Sequence, residues 1–329
     1  MNKSTKIWLI AASTVILLGI IIFGGAMSVL KWDFTKLSTN TFETNNYEIN
    51  EEFSDISIYA DTADIKLVSS ENQKCSVVCY EQSNIKHSVS VEDGTLVIKN
   101  ADTRKWYEYI GINFSTPKIT LYLPQGEYGV LIIRSSTGDA EISKEFIFES
   151  IDISASTGDV SNYASASGFI KIKTTTGNIR VEDLSADTLS LSVSTGRVTS
   201  SNINCAENFD VSVSTGKTSI SGVKCKNLYS SGNTGDISLK QVVAEEKFSI
   251  ERTTGDVTFD GCDAMEIFIK TDTGDVKGTL LSDKVFVSKT DTGRIDVPNS
   301  ITGGKCEITT DTGNIKISKV QENAWHIVN

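Results

Sequence analysis

The sequence predicts an all-β solenoid, a rod of stacked 19–20-residue coils, carried behind one membrane helix. Three observations predict it. A Thr-Gly-x tripeptide returns at near-constant spacing through the larger C-terminal part of the chain. Apolar residues alternate with polar ones on both sides of each glycine. An uncharged apolar run lies close to the N-terminus.

The apolar run, 7–30, follows a short tail at 1–6 and is flanked by Lys3 and Lys6 on one side and Lys31 on the other. About 20 apolar residues at 1.5 Å each cross a bilayer core, whereas the apolar part of a secretory signal spans about 7–15. The small residues Gly24, Gly25 and Ala26 leave cleavage open as an alternative. Lysine counting gives no orientation, because Lys3 and Lys6 are balanced by Lys31 and Lys36. The free amine favours the N-terminus inside, which places the solenoid outside the cytoplasm. Residues 31–52 read as a linker.

The regular pattern starts in disguise within 53–130. Asp61-Thr62-Ala63-Asp64-Ile65-Lys66-Leu67 follows Ile56-Ser57-Ile58 and repeats the later coils with alanine in the glycine place. Regularity then breaks. Val89-Ser90-Val91 and Leu96-Val97-Ile98 flank Asp93-Gly94, a hairpin signal, and Lys118–Pro124 leads back. This segment reads as an N-terminal coil whose hairpin-containing insertion caps the rod, since a bare solenoid end offers a strand edge to aggregation.

The solenoid proper is expected at 131–318. Its glycines Gly138, Gly158, Gly177, Gly196, Gly216, Gly235, Gly255, Gly274, Gly293 and Gly313 are separated by 20, 19, 19, 20, 19, 20, 19, 19 and 20 residues. Such a period marks coils that cannot bury their own apolar face and must stack on neighbours. Apolar residues two and four after the glycine (Ile179 and Val181, Ile237 and Leu239) and seven and five before it (Ile151 and Ile153) define two short strands per coil. Leu184, Ile203, Val223 and Leu281, seven after the glycine, suggest a third inward contact. Thr-Gly-Asp and Thr-Gly-Asn suit a turn in which glycine takes a positive φ. Ten coils at about 4.8 Å give a rod of roughly 48 Å. Val287-Ser288-Lys289 carries one residue more than Ile269-Lys270, which reads as a bulge. Residues 319–329, with Trp325, read as the C-terminal cap.

These residues resemble a bacterial family labelled "putative adhesins", domains of unknown function with adhesin-like strand repeats. The likeness rests on Ser136–Asp139 and Ser156–Asp159, on Lys118–Pro124, and on Asp93-Gly94-Thr95-Leu96, and covers roughly 50–320. The resemblance implies a right-handed parallel β-solenoid behind a membrane anchor, with some relatives beside cell-envelope stress systems, and supplies no catalytic residues. Ala63, Arg197, Lys217 and Arg294 depart from the pattern and break any continuous acidic ladder.

With 42 acidic against 31 basic residues and a net charge of −11, the surface repels a phosphate backbone, so no nucleic acid is expected. Cys75, Cys79, Cys205, Cys225, Cys262 and Cys306 contain no CxxC, and His87 and His326 lie far apart, so no metal and no cofactor are expected. Cys75 and Cys79 share a strand face roughly 13 Å apart, too far for a bridge. Cys205 and Cys225 stack one coil apart, as buried thiols or as a disulfide. The Asp-Thr-Gly tripeptides at Asp272, Asp291 and Asp311 carry catalytic carboxylates in aspartic proteases, but the repeat accounts for them. Asp236, Asp256 and Asp275 on successive coils would splay into water, rise in pKa or hold a cation.

Trp106, Tyr107, Tyr109 and Phe114 form the densest irregularity. They suit stacking on a sugar or a partner protein, or packing as a small core beneath a loop. The reading is a non-catalytic, single-pass membrane protein that binds an envelope protein or glycan or senses envelope stress. Two alternatives stay open: a polysaccharide-active β-helix enzyme, and a cytoplasm-facing tethered regulator.

Overall fold

The computed structural model describes residues 2–33, 41–102 and 115–320. The helix Lys3–Val29 comes first, with a mean hydropathy of 2.5 over its most apolar window. Its 27 residues span about 40 Å at 1.5 Å each, enough to cross a bilayer core of about 30 Å. Its side chains are exposed apart from Met27 and two half-buried neighbours.

Nine strands build the N-terminal part: β1 (Phe42–Ile49), β2 (Asp55–Ala60), β3 (Asp64–Ser69), β4 (Cys75–Gln82), β5 (Ile85–Glu92), β6 (Thr95–Asp102), β7 (Lys118–Leu123), β8 (Gly126–Thr137) and β9 (Ala140–Ile142). The expected linker 31–52 is therefore only partly a linker. Its alternating Phe42, Thr44, Asn46 and Glu48 pair antiparallel with β4 over eight residues.

From β8 onward the coils stack. Strands preceding the turn glycines pair parallel in a first ladder, and strands following them form a second. Alternate side chains of both ladders point into one continuous core. One inward column runs Ile153, Ile172, Leu191, Val211, each at most 2% exposed. Each such side chain gains about 1.5–3 kcal/mol on leaving water, which only a neighbouring coil makes available. A further corner lies six residues after the glycine, where Asp183, Asn202, Gly222, Gln241 and Gly261 take φ between 53° and 61°.

Spatial order departs from chain order at both ends. The first coil of the chain, β2 with β3, is not outermost. β2 lies between β8 and β6, and β3 lies between β9 and β7. Beyond β6 and β7 the direction reverses, with β5 antiparallel to β6 and β4 antiparallel to β7. The β5–β6 turn is Asp93-Gly94, both at positive φ.

The C-terminal end repeats the device. The final coil, Gly304–Thr312 with Ile315–Lys319, sits between the Gly274 coil and the coil of Lys284–Thr292 and Ile295–Asp296. The Gly293 coil is thus outermost among the described residues, and twelve parallel rungs line each ladder, with the antiparallel β5 and β4 beyond them at the other end.

Two sequence expectations change with this order. No bulge occurs at Val287-Ser288-Lys289, because Lys284–Thr292 pairs with Gly304–Thr312 without a register shift. The partners Cys306 and Ile308 turn Phe286 and Ser288 inward and leave Val287 53% exposed. Leu281 is not an inward contact. The Gly274 coil skips the positive-φ corner residue, so Leu280 is buried opposite Cys262 and Leu281 faces out.

Candidate polar trough

Each of the ten turn glycines has φ between +126° and +159°, a conformation open only to glycine. Its Cα backs onto the glycine carbonyl of the adjacent coil, and onto the Ala63 carbonyl at Gly138. A side chain would drive neighbouring coils apart.

The residue after the glycine decides how the corner is tied. Asp139 Oδ1 accepts the backbone N–H of Asp159 at 2.8 Å, Asp159 Oδ1 that of Asn178 at 2.8 Å, and Asn178 Oδ1 that of Arg197 at 3.0 Å. Arg197 and Lys217 offer no acceptor, and the ladder stops. It resumes from Asp236 to Asp256 (3.1 Å), Asp256 to Asp275 (2.8 Å), Asp275 to Asn314 (2.7 Å) and Asn314 to Arg294 (3.1 Å). Asp236, Asp256 and Asp275 are tied by these bonds into one ladder and do not splay apart. The Asn314 backbone N–H, then Lys277, holds the Asp275 carboxyl below its ordinary range.

Other candidates take structural places. Asp272, Asp311 and Asp291 stand side by side in one outward column, not across a cleft, and Asp291 meets Lys289 at 3.3 Å. All six cysteines are free, and burial pushes the Cys225 thiol up to about 12. Trp106, Tyr107, Tyr109 and Phe114 lie outside the described residues, as does Trp325.

The surface most able to hold a ligand is the outer face of the first ladder, beside the turns. Position two before the glycine is short in every coil, Ser136, Ser156, Thr175, Ser194 and Ser214 in the first five, while position four mixes serines (Ser154, Ser192, Ser212, Ser231) with long charged residues (Arg134, Lys173, Glu251, Lys270), so low ground lies between taller side chains. At the N-terminal end it opens into a trough of about 620 Å³ floored by Ser136, Ser154 and Ser156. Tyr59, Asp61, Lys99, Asn100, Arg134 and Lys173 also line it. Tyr59 is 45% exposed and offers a ring. Arg134 is clamped bidentate by Asp152 at 3.1 and 2.8 Å. Lys173 has no ion pair among the described residues.

A second hollow of about 360 Å³ continues the same face over Ser212, Ser231 and Glu251. Beneath it Arg252 is 3% exposed and donates to the Val213 carbonyl (2.7 Å) and to Thr218 Oγ1 (2.9 Å). Gly232 clears its path, since a Cβ there would overlap the guanidinium. Burial without a carboxylate lowers its pKa to about 10. Sequence reasoning passed over this strip because outward serines read as an ordinary solvated face; the column of them at fixed distance before the glycine was the available signal.

The fold and the trough define a coiled β-repeat with a polar groove on one outward face. The chain belongs to the Toastrack DUF4097 family, whose model matches residues 53–206 and 197–328. A comparison with curated proteins found no match. Among solved structures, the chain is similar to a "putative adhesin" from Bacteroides fragilis at 17% identity, covering 84% of this chain and 97% of that one, with a TM-score of 0.40. It is also similar to a "putative adhesin" from Parabacteroides distasonis at 13% identity, covering 84% and 98%, with a TM-score of 0.46. A "putative lipid binding protein" from the same species shares 15% identity over 85% and 98%, with a TM-score of 0.42.

Proposed function

We propose that this chain is a non-catalytic, membrane-anchored rod that binds an extended polar polymer, an envelope glycan, along the outer face of its first ladder. The observation that carries the reading is the 620 Å³ trough, where an exposed tyrosine ring and the cations Lys99, Arg134 and Lys173 converge above a serine floor. The ring suits stacking on a sugar face, and the hydroxyls suit hydrogen bonds to its edge. Arg134 and Lys99 are paired with Asp152 and Glu92, so Lys173, which has no ion pair among the described residues, is the cation that favours an acidic glycan over a neutral one.

Binding of polygalacturonate and of dextran to the detergent-solubilised chain tests this by calorimetry. Acidic polymer is expected to bind, to weaken with salt, and to be lost in Tyr59→Ala and Lys173→Ala. Equal binding by these variants removes the trough from the reading.

The apolar helix Lys3–Val29 supports a membrane anchor, and this reading puts the solenoid outside. Ser136 is exposed and five of the six cysteines are buried, so Ser136→Cys in a Cys75→Ser background reports sidedness. Labelling of intact cells by an impermeant maleimide is the expected result. Labelling only after lysis supports the cytoplasm-facing alternative, which six unbridged thiols favour.

A further inference from the structure

At the N-terminal cap, β4 and β5 leave a tight turn together and then part. They touch only at Gln82 and Ile85, after which β4 follows β7 in the second ladder and β5 follows β6 in the first. The wedge between them corresponds to the core of a coil, which elsewhere takes isoleucine, valine and leucine. Here it holds Cys79 and Glu81, both fully buried, and His87 at 6% exposure.

Glu81 Oε2 lies 2.6 Å from His87 Nδ1 and accepts the His87 backbone N–H at 2.6 Å. Glu81 Oε1 accepts from Asn45 Nδ2 at 2.7 Å. One ligating atom from each of Cys79, Glu81 and His87 lies within 4.8 Å of the others. Asn100, paired with His87 across β5 and β6, buries an Oδ1 without a partner among the described residues. A carboxylate in such a place costs several kcal/mol, where apolar side chains would seat the corner without that cost.

We propose that Cys79, Glu81 and His87 form a site for one borderline-soft divalent cation, Zn²⁺, that ties β4 to β5 where the two strands of the cap part. The donor set selects the ion. Thiolate and imidazole are poor ligands for Ca²⁺ and Mg²⁺, which take oxygen, whereas sulfur, nitrogen and a carboxylate oxygen together suit zinc. Zinc bonds of 2.0–2.3 Å in a tetrahedron put ligand atoms about 3.3–3.8 Å apart, so the Glu81–His87 pair at 2.6 Å has to open by about 0.7 Å, and the other separations, all within 4.8 Å, close by about 1 Å. The ion takes the place between Glu81 and His87, and the Cys79 thiol proton leaves to solvent. Asn45 holds Glu81 from behind, as an outer partner does for a ligating carboxylate.

The test uses the full chain in detergent, stripped with chelator and then titrated with Zn²⁺ or with Co²⁺ as a spectroscopic probe. One Zn²⁺ per chain is expected, raising the melting temperature, and Co²⁺ is expected to give a thiolate-to-metal charge-transfer band. The band should vanish in Cys79→Ser and survive in Cys75→Ser. Affinity should fall at least tenfold in His87→Gln and about 10–100-fold in Asn45→Ala. Circular dichroism checks that each variant folds. Wild-type chain that takes up no stoichiometric metal overturns the proposal without recourse to any variant. So does a band that persists in folded Cys79→Ser.

Discussion

Gly216→Ala tests the stacking of the turns directly. Gly216 sits at φ +139°, and a Cβ built there stands 2.7 Å from the carbonyl carbon of Gly196 and closer still to its oxygen. Relief requires the two coils to separate at the corner, where Gly216 N–H donates to Thr234 O at 2.8 Å and Gly196 N–H to Thr215 O at 3.0 Å. Arg197 and Lys217 provide no side-chain acceptor at this point, so nothing local compensates. A glycine-only conformation forced on alanine costs about 1–3 kcal/mol, and overpacking about another 1–3. With one weakened hydrogen bond of about 1 kcal/mol, the loss comes to about 3–7 kcal/mol. Gly261→Asn is the matched control. Its φ of +59° is one that Asp183, Asn202 and Gln241 already adopt at the same corner, and its nearest neighbours are 4.0 Å away. That change should stay within about 0.5 kcal/mol. Denaturant unfolding followed by circular dichroism reads both, with hydrogen exchange over 208–234 locating the damage, because a repeat rod can open locally. If Gly216→Ala loses less than about 1 kcal/mol, or no more than Gly261→Asn, the close-contact argument is wrong.

Lys217→Asn should supply the missing acceptor for the Asp236 N–H and raise stability by about 0.5–1.5 kcal/mol, seen as a higher melting temperature. Arg252→Ala should cost about 2–4 kcal/mol, because the Val213 carbonyl and Thr218 hydroxyl lose their donor and a void remains; denaturant midpoints check it. Asp275, whose carboxyl the fold holds below 3.8, contributes stability present above that pH and lost as pH falls through the folded value. Asp275→Asn keeps an acceptor but does not titrate, so its melting temperature should decline less steeply in acid than that of the wild type. Native chain should react with a thiol reagent slowly and only at Cys75, the one half-buried cysteine, and at all six positions once unfolded.

The repeat was readable because turn and core chemistry recur at fixed distances. Thr-Gly marks the corner, and the β-branched residues at two and four after it mark the inward face. The order of the last two coils was not readable from spacing, since Gly293 and Gly313 keep the same step as every other pair. One residue did carry it: Arg294 follows its glycine where a coil with an outer neighbour usually has Asp or Asn, and the Gly293 coil has no outer neighbour among the described residues. Arg197 and Lys217 break that rule inside the rod, so the signal is ambiguous alone. The strand at Phe42–Ile49 was hidden by its polar residues, because it pairs with β4 at the margin of the core. Cys79, Glu81 and His87 were missed as a group because they meet only where a hairpin splays into two ladders.

The exchanged order of the end coils also sets a sequence in time. Lys284–Thr292 leaves the ribosome before Gly304–Thr312, yet its partner in the rod is that later strand. The Gly274 coil therefore presents an unfilled face until the final segment emerges, and the penultimate coil has to wait, or dock in the wrong place and be displaced. A ribosome that stops short after residue 303 would leave a rod with a rung missing from within, not a rod one rung shorter. Emergence of Gly304–Thr312 is thus the event that closes the gap between its two neighbours.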